Sequence, residues 1–100
     1  MKSRYSAFVA NDSKYIIKTT HKENKEYTPD TKYWEESIKE FCKNCEFKKL
    51  EIIEFIEQEI EAFVTFKASI FCYNKDNTFK EKSKFLKVDG RWLYHSGTFL

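Results

Sequence analysis

Lys82-Ser83-Lys84-Phe85-Leu86-Lys87-Val88-Asp89-Gly90-Arg91-Trp92-Leu93-Tyr94-His95-Ser96-Gly97 sets an Asp-Gly pair between two β-prone runs. The favoured two-residue hairpin turn needs positive φ at both central positions, which Asp and Gly tolerate, so the pair predicts a tight hairpin. With Asp89 and Gly90 in the turn, Val88 opposes Arg91, Lys87 Trp92, Leu86 Leu93, Phe85 Tyr94, Lys84 His95 and Ser83 Ser96. Alternation then gives Ser83, Phe85, Trp92, Tyr94 and Ser96 one face, and Leu86, Val88, Leu93 and His95 the other. Apolar groups on both faces ask for a cover on each.

The preceding segment has the same texture. Over residues 60–73, Ile60, Ala62, Val64, Phe66, Ala68, Ile70 and Cys72 alternate on one side, while Phe63, Phe71 and Tyr73 interrupt polar residues on the other. Residues 47–57 are rich in Ile and Phe, Glu57-Gln58-Glu59 breaks the run, and Asn74-Lys75-Asp76-Asn77 reads as a turn. Four consecutive antiparallel strands result.

Helical signals come first in the chain. Tyr5, Phe8 and Val9 fall at helical spacing, and Asn11-Asp12-Ser13 offers N-cap chemistry for a second helix that carries Tyr15, Ile16 and Thr19 inward and ends near His21. Thr28-Pro29-Asp30-Thr31 starts a third, with Pro in the first turn and Asp30 complementing the dipole. Trp34, Ile38, Phe41, Cys42 and Cys45 then form an apolar stripe. Helices followed by an antiparallel meander predict an α+β fold, with N-terminal helices packed on one face of a four-stranded sheet.

One hundred residues, 41% hydrophobic and 34% charged, suit one globular domain over residues 1–100. The net charge is +2, without a concentrated basic patch, so no nucleic-acid partner is expected. Glu51, Glu54, Glu57, Glu59 and Glu61 crowd one region and Lys75, Lys80, Lys82, Lys84, Lys87 and Arg91 another; on neighbouring strands they would compensate each other. No stretch is apolar for long enough to cross a membrane as a helix, and the first nine residues lack a signal-peptide core. Three cysteines imply no disulfide framework, and the expectation is a cytoplasmic protein with reduced thiols.

Few residues suggest chemistry. Cys42-Lys43-Asn44-Cys45 has redox spacing, but both thiols fall in the last turn of the third helix, where the dipole opposes thiolate formation. No second Cys pair or His pair completes a zinc site, so both cysteines read as small core hydrophobes and no metal or cofactor is expected. His21 and His95 are the two histidines and the weak catalytic candidates; each reads first as structural. Ser96 beside His95 carries no weight, since adjacent strand residues point apart. Two glycines, Gly90 and Gly97, exclude a glycine-rich phosphate cradle. The aromatic content of 18%, ten residues of it Phe, leaves room for an aromatic-walled pocket against Phe85, Trp92 and Tyr94.

The stretch Met1-Lys2-Ser3-Arg4-Tyr5-Ser6-Ala7-Phe8-Val9, with Asp12, Tyr15 and Thr20-His21, resembles the start of the central domain of the bacterial YchJ family. Ser83-Lys84-Phe85-Leu86, Gly90, Trp92, Tyr94 and Gly97 resemble its end. The resemblance implies a nuclear transport factor 2-like (cystatin-like) cone, with helices set into the mouth of a strongly curved sheet. Family members usually carry cysteine-rich zinc-binding segments of the SEC-C type at one or both ends; residues 1–100 hold neither, which suggests a trimmed homologue or a domain of a longer protein. Arg4, Tyr5, His21, Ser83, Trp92 and Tyr94 match the family pattern without being simple core formers. Arg4, near a helix start where the dipole disfavours a cation, calls for either a specific acceptor or a surface ion pair.

Three functions follow as expectations. The first is a non-catalytic accessory domain binding a small molecule or peptide, its cavity formed by Arg4, Tyr5, His21, Trp34, Ser83, Phe85, Trp92 and Tyr94. The second is a small-pocket acid–base enzyme using His21 or His95. The third is a dimerisation or protein-interaction module, pairing through Leu86, Val88 and Leu93 on the outer sheet face.

Overall fold

In the computed structural model, which describes residues 2–100, three helices precede five strands: α1 (Lys2–Val9), α2 (Ser13–Lys18), α3 (Thr31–Asn44), β1 (Cys45–Glu57), β2 (Glu61–Cys72), β3 (Lys75–Asp76), β4 (Phe79–Val88) and β5 (Arg91–Phe99). The order across the antiparallel sheet is β1-β2-β4-β5, and β3 pairs with β2 off this path. No helix among the described residues is long and apolar enough to cross a membrane.

The helix starts follow local chemistry. Asp12 caps α2 by accepting the Tyr15 N–H at 3.2 Å, and Asp30 caps α3 by accepting the Tyr33 N–H at 3.1 Å. Asp30 therefore precedes the helix and Pro29 lies outside its first turn, because a side chain that satisfies an orphan amide is worth more there than a charge placed inside. Ala7, Ile16, Trp34 and Ile38 form a small core among the helices. A second core follows the predicted alternation of β2: Ala62, Val64, Phe66, Ala68 and Ile70, with Phe85 of β4.

Asp89 (φ 51°) and Gly90 (φ 78°) make the expected turn, and pairing follows the predicted register from Val88–Arg91 to Phe85–Tyr94. There it slips: Lys84 pairs Ser96 and Ser83 pairs Gly97, leaving His95 as the extra residue of a bulge. Ser96 thus departs from the face predicted for it, and Gly97 takes its place opposite Ser83. A second correction concerns the turn after β2. Tyr73 and Asn74, both at positive φ, turn the chain so that Lys75 and Asp76 pair back on Cys72 and Phe71, adding a fifth strand to the expected four.

Two further expectations change. The helix ends at Asn44, so Cys45 opens β1 directly opposite Cys72 and the two form a disulfide, contrary to the expected reduced thiols. Strand periodicity takes over one residue before the apolar stripe of α3 ends, and this turns Cys45 toward the sheet. Cys42 remains free and half-buried. The acidic and basic runs do not become neighbours either, because β2 lies between β1 and β4. Compensation is limited to pairs such as the half-exposed Glu61–Lys84 (3.6 Å) and the exposed Glu51–Lys49 (3.1 Å), contacts of small energetic value.

Beyond α2 the chain runs along the edge of β5. Thr20 forms a parallel bridge with Tyr94, the His21 N–H donates to the Tyr94 carbonyl at 2.8 Å, and the Tyr94 N–H to the Thr19 carbonyl at 2.8 Å. One sheet edge is thereby covered, and the helical layer is pinned to the wall that carries the aromatic residues.

Candidate functional site

A polar layer separates the two apolar cores, and Arg4 is its centre. Side chains at 4 and 8 of α1 face the sheet, so Arg4, 9% exposed, is directed inward. Its Nη1 donates to the Ile16 carbonyl (3.1 Å), Thr19 Oγ1 (2.6 Å) and Thr20 Oγ1 (3.3 Å), the specific acceptors its position called for. The guanidinium lies 4.8 Å from the centroid of the Tyr94 ring. The Tyr94 hydroxyl donates to Glu81 Oε2 at 3.1 Å, and the fully buried Ser83 hydroxyl donates to the same oxygen.

The electrostatics of this layer are unbalanced. Among the described residues no carboxylate oxygen lies within 4.0 Å of Arg4, although no fully buried side-chain nitrogen or oxygen is left without a partner. Burial lowers the guanidinium from 12.5 to about 10, only partly offset by Tyr94, Tyr15 and Glu81; it stays charged at neutral pH. Burial likewise raises the Tyr94 phenol above its usual 10.0, with the nearby Glu81 charge adding to the effect, so Tyr94 remains a neutral donor.

Two hollows meet at Arg4. The larger, about 610 Å³, is walled by Arg4, Thr19, Val64, Phe85 and Trp92, with the exposed Phe55, Glu57 and Arg91 also lining it. The smaller, about 190 Å³, is lined by Tyr5, Phe8, Phe47, Phe66 and Tyr94 beside Arg4 and is largely aromatic. Tyr5 and Phe8 pack against Phe47 with centroids 5.8 and 6.2 Å apart. Trp34 belongs to the helix core and lines a third space of about 390 Å³ that also touches Arg4 and Tyr94.

Seven of the eight residues expected at the cavity thus gather around one centre: Arg4, Tyr5, Trp34, Phe85, Trp92 and Tyr94 as walls, and Ser83 beneath Glu81. His21 does not join them. It lies along the edge of β5, its ring 5.2 Å from that of His95 and both beside Glu23, and neither histidine lines the two hollows at Arg4. Acid–base chemistry within those hollows has no histidine to use. The bulge also brings Ser96 Oγ within 3.0 Å of His95 Nδ1, a contact that strict alternation had excluded. On the outer face Leu86 and Leu93 pair directly and are half-buried beside the exposed Val88. Phe55, Glu57, Glu81 and Arg91 were missed: the first, second and last are exposed residues at the rim of the larger hollow, and nothing local distinguishes the half-buried Glu81 from a surface carboxylate.

Gly97 has a role that spacing did not suggest. A Cβ there would sit 2.5 Å from the Glu81 carboxylate and 2.5 Å from the Tyr94 hydroxyl, so the Tyr94–Glu81–Ser83 network closes over a bare backbone. Gly97→Ala is expected to cost about 1–3 kcal/mol in urea unfolding by forcing that network apart. An unchanged midpoint would show that the pair relaxes freely.

The family model described as "YchJ, middle NTF2-like domain" matches residues 1–97. A UPF0225 protein of Enterobacter sp. (strain 638) is 33% identical over 100 residues, covering 98% of this chain and 62% of that protein. A UPF0225 protein of Serratia proteamaculans (strain 568) is 34% identical over 104 residues, covering 98% and 63%. The chain therefore spans less than two thirds of the length of these relatives. Among solved structures, a SEC-C motif containing protein from Rhodopseudomonas palustris superposes with a TM-score of 0.80 at 24% identity, over 100% of this chain and 75% of that one. Another from Psychrobacter arcticus gives 0.77 at 26% identity, over 100% and 58%.

Proposed function

Because the chain belongs to the YchJ family, matching its middle, nuclear transport factor 2-like domain, we propose that it is a non-catalytic binding domain for a small organic anion, seated in the larger hollow with its charge on Arg4. The single observation that carries this reading is a buried guanidinium with no carboxylate among the described residues within 4.0 Å, at the junction of two hollows. Desolvating a charge without a counter-ion is costly, and a ligand carboxylate or phosphate would relieve that cost while displacing water from aromatic walls. Phe85 and Trp92 supply apolar surface for the body of the ligand, and the Thr19 hydroxyl a polar contact beside the charge. A cavity with apolar walls and a few convergent polar groups is the usual form of a small-molecule site.

The test uses benzoate and its neutral amide as probes, followed by calorimetry and thermal shift, with native mass spectrometry of the purified chain for a retained ligand. Benzoate is expected to bind and stabilise, and benzamide to do neither. Arg4→Met is expected to weaken benzoate by roughly ten- to hundredfold, the range of a charge-assisted hydrogen bond. Equal binding of acid and amide, or benzoate affinity retained in a folded Arg4→Met protein, would remove the anchor from the proposal. Trp92→Ala, which leaves Arg4 and its acceptors in place, provides a second variant that is expected to weaken benzoate through the lost apolar wall alone.

A further inference from the structure

We propose that His21, Glu23 and His95 bind a first-row divalent metal ion, zinc(II) foremost, at a site outside the hollows and independent of them. One ring nitrogen from each histidine and one Glu23 carboxylate oxygen all lie within 4.8 Å of one another. Glu23 Oε1 is 3.3 Å from His95 Nε2 and 3.9 Å from His21 Nδ1. Tetrahedral zinc with bonds near 2.0–2.1 Å separates its ligand atoms by about 3.3 Å. One pair already stands at that separation; rotation of the Glu23 arm, 64% exposed, closes its 3.9 Å distance to His21, and the two histidine nitrogens, within 4.8 Å of each other, approach by a turn of the half-buried His95 ring.

Ser96 Oγ stands 3.0 Å from His95 Nδ1, a ring contact of the kind that orients metal-bound histidines, and it leaves Nε2 toward Glu23. The backbone that carries the ligands is held as well: the His21 backbone N–H donates to the Tyr94 carbonyl at 2.8 Å, and Asn24 Nδ2 donates to the His95 backbone carbonyl at 2.8 Å. The Glu23 N–H donates to His21 Nδ1 at 3.0 Å, so this nitrogen carries a lone pair rather than a proton, as a ligand must; the ion takes over from that hydrogen bond. Two imidazoles and one carboxylate suit zinc, nickel or copper, and offer too few oxygens for calcium or magnesium. The exposed side leaves a coordination position for water. Bound metal would clamp the segment after α2 against β5, adding to the Thr20–Tyr94 bridge and the Asn24–His95 hydrogen bond.

Zinc chloride is titrated calorimetrically into the whole chain, disulfide intact, in a Cys42→Ser background that removes the free thiol. One equivalent is expected to bind and raise the unfolding temperature. Glu23→Gln and His95→Asn, both at accessible side chains, are each expected to weaken binding at least tenfold with unchanged circular dichroism. Cobalt(II) added to the unsubstituted chain, with Cys42 present, is expected to give ligand-field bands without a thiolate charge-transfer band. The proposal is overturned if no saturable binding occurs below millimolar zinc, if affinity is unchanged in both variants, or if cobalt reports thiolate ligation.

Discussion

Opening the Cys45–Cys72 disulfide is expected to lower the unfolding free energy by about 3–4 kcal/mol. The bond closes a loop with a sequence separation of 27, and loop-closure entropy for a loop of that size accounts for such a value. Its place in the fold makes the full effect plausible on physical grounds. β1 is an edge strand whose residues 51–57 are all exposed, among them Ile53 and Phe55 at 54% and 59%, and two register shifts interrupt its ladder with β2. With little buried side-chain area of its own, β1 depends on the covalent tie and on Phe47 to stay registered. Urea unfolding with and without reductant, and of Cys72→Ser without it, is expected to give the same loss, with a fall in melting temperature on the order of 20 °C. A loss below about 0.5 kcal/mol in both would mean that the strand pairing alone holds β1.

Phe66→Ala is expected to cost about 3–5 kcal/mol, the range for removing a buried ring from a packed interior. Phe66 is 5% exposed on the central strand, between Ile52 of β1 and Glu81 of β4, and stands edge to face with Phe79 at 5.9 Å. It also forms part of the wall of the smaller hollow, so the substitution opens that space next to Arg4. Chemical denaturation measures the stability loss, and Phe66→Leu, which keeps most of the volume, is expected to lose less than half as much. If alanine and leucine prove equally costly, the edge-to-face contact rather than buried volume carries the energy. The exposed Phe99, 71% accessible though it contacts Phe79, provides the contrast: its truncation is expected to stay within about 0.5 kcal/mol.

The second effect bears on the smaller hollow, which Phe66 lines and which meets the proposed ligand site at Arg4. Phe66 and Phe85 support the inner face from the sheet, while Arg4 holds the helices over it through Ile16, Thr19 and Thr20. Variants at these positions change binding and stability together, so affinity has to be read on folded protein. Gly97 and the histidine cluster divide that problem. The first perturbs the Tyr94–Glu81 pair from beneath, and the second lies outside the cavity altogether.

Local chemistry made the Asp89-Gly90 turn, the alternation of β2, and the Asp12 and Asp30 caps readable from the chain alone. Each depends on residues a few positions apart, where φ preferences, side-chain period and short-range hydrogen bonds decide. The order of helices then strands, and the gathering of Arg4, Tyr5, Phe85, Trp92 and Tyr94, followed from those elements and from the resemblance of the two chain ends to one family. Tertiary structure decided the rest. It set Cys45 against Cys72, placed β2 between the acidic and basic runs, and let one bulge turn His95 toward Ser96 and toward Glu23, 72 residues away. It also left Arg4 buried with no carboxylate among the described residues within 4.0 Å, a fact about three-dimensional neighbours that no spacing encodes. Pairings between distant residues depend on where each element ends and on single-residue slips in register. A shift of one residue reverses a side chain's face, and local propensity is too weak to specify it.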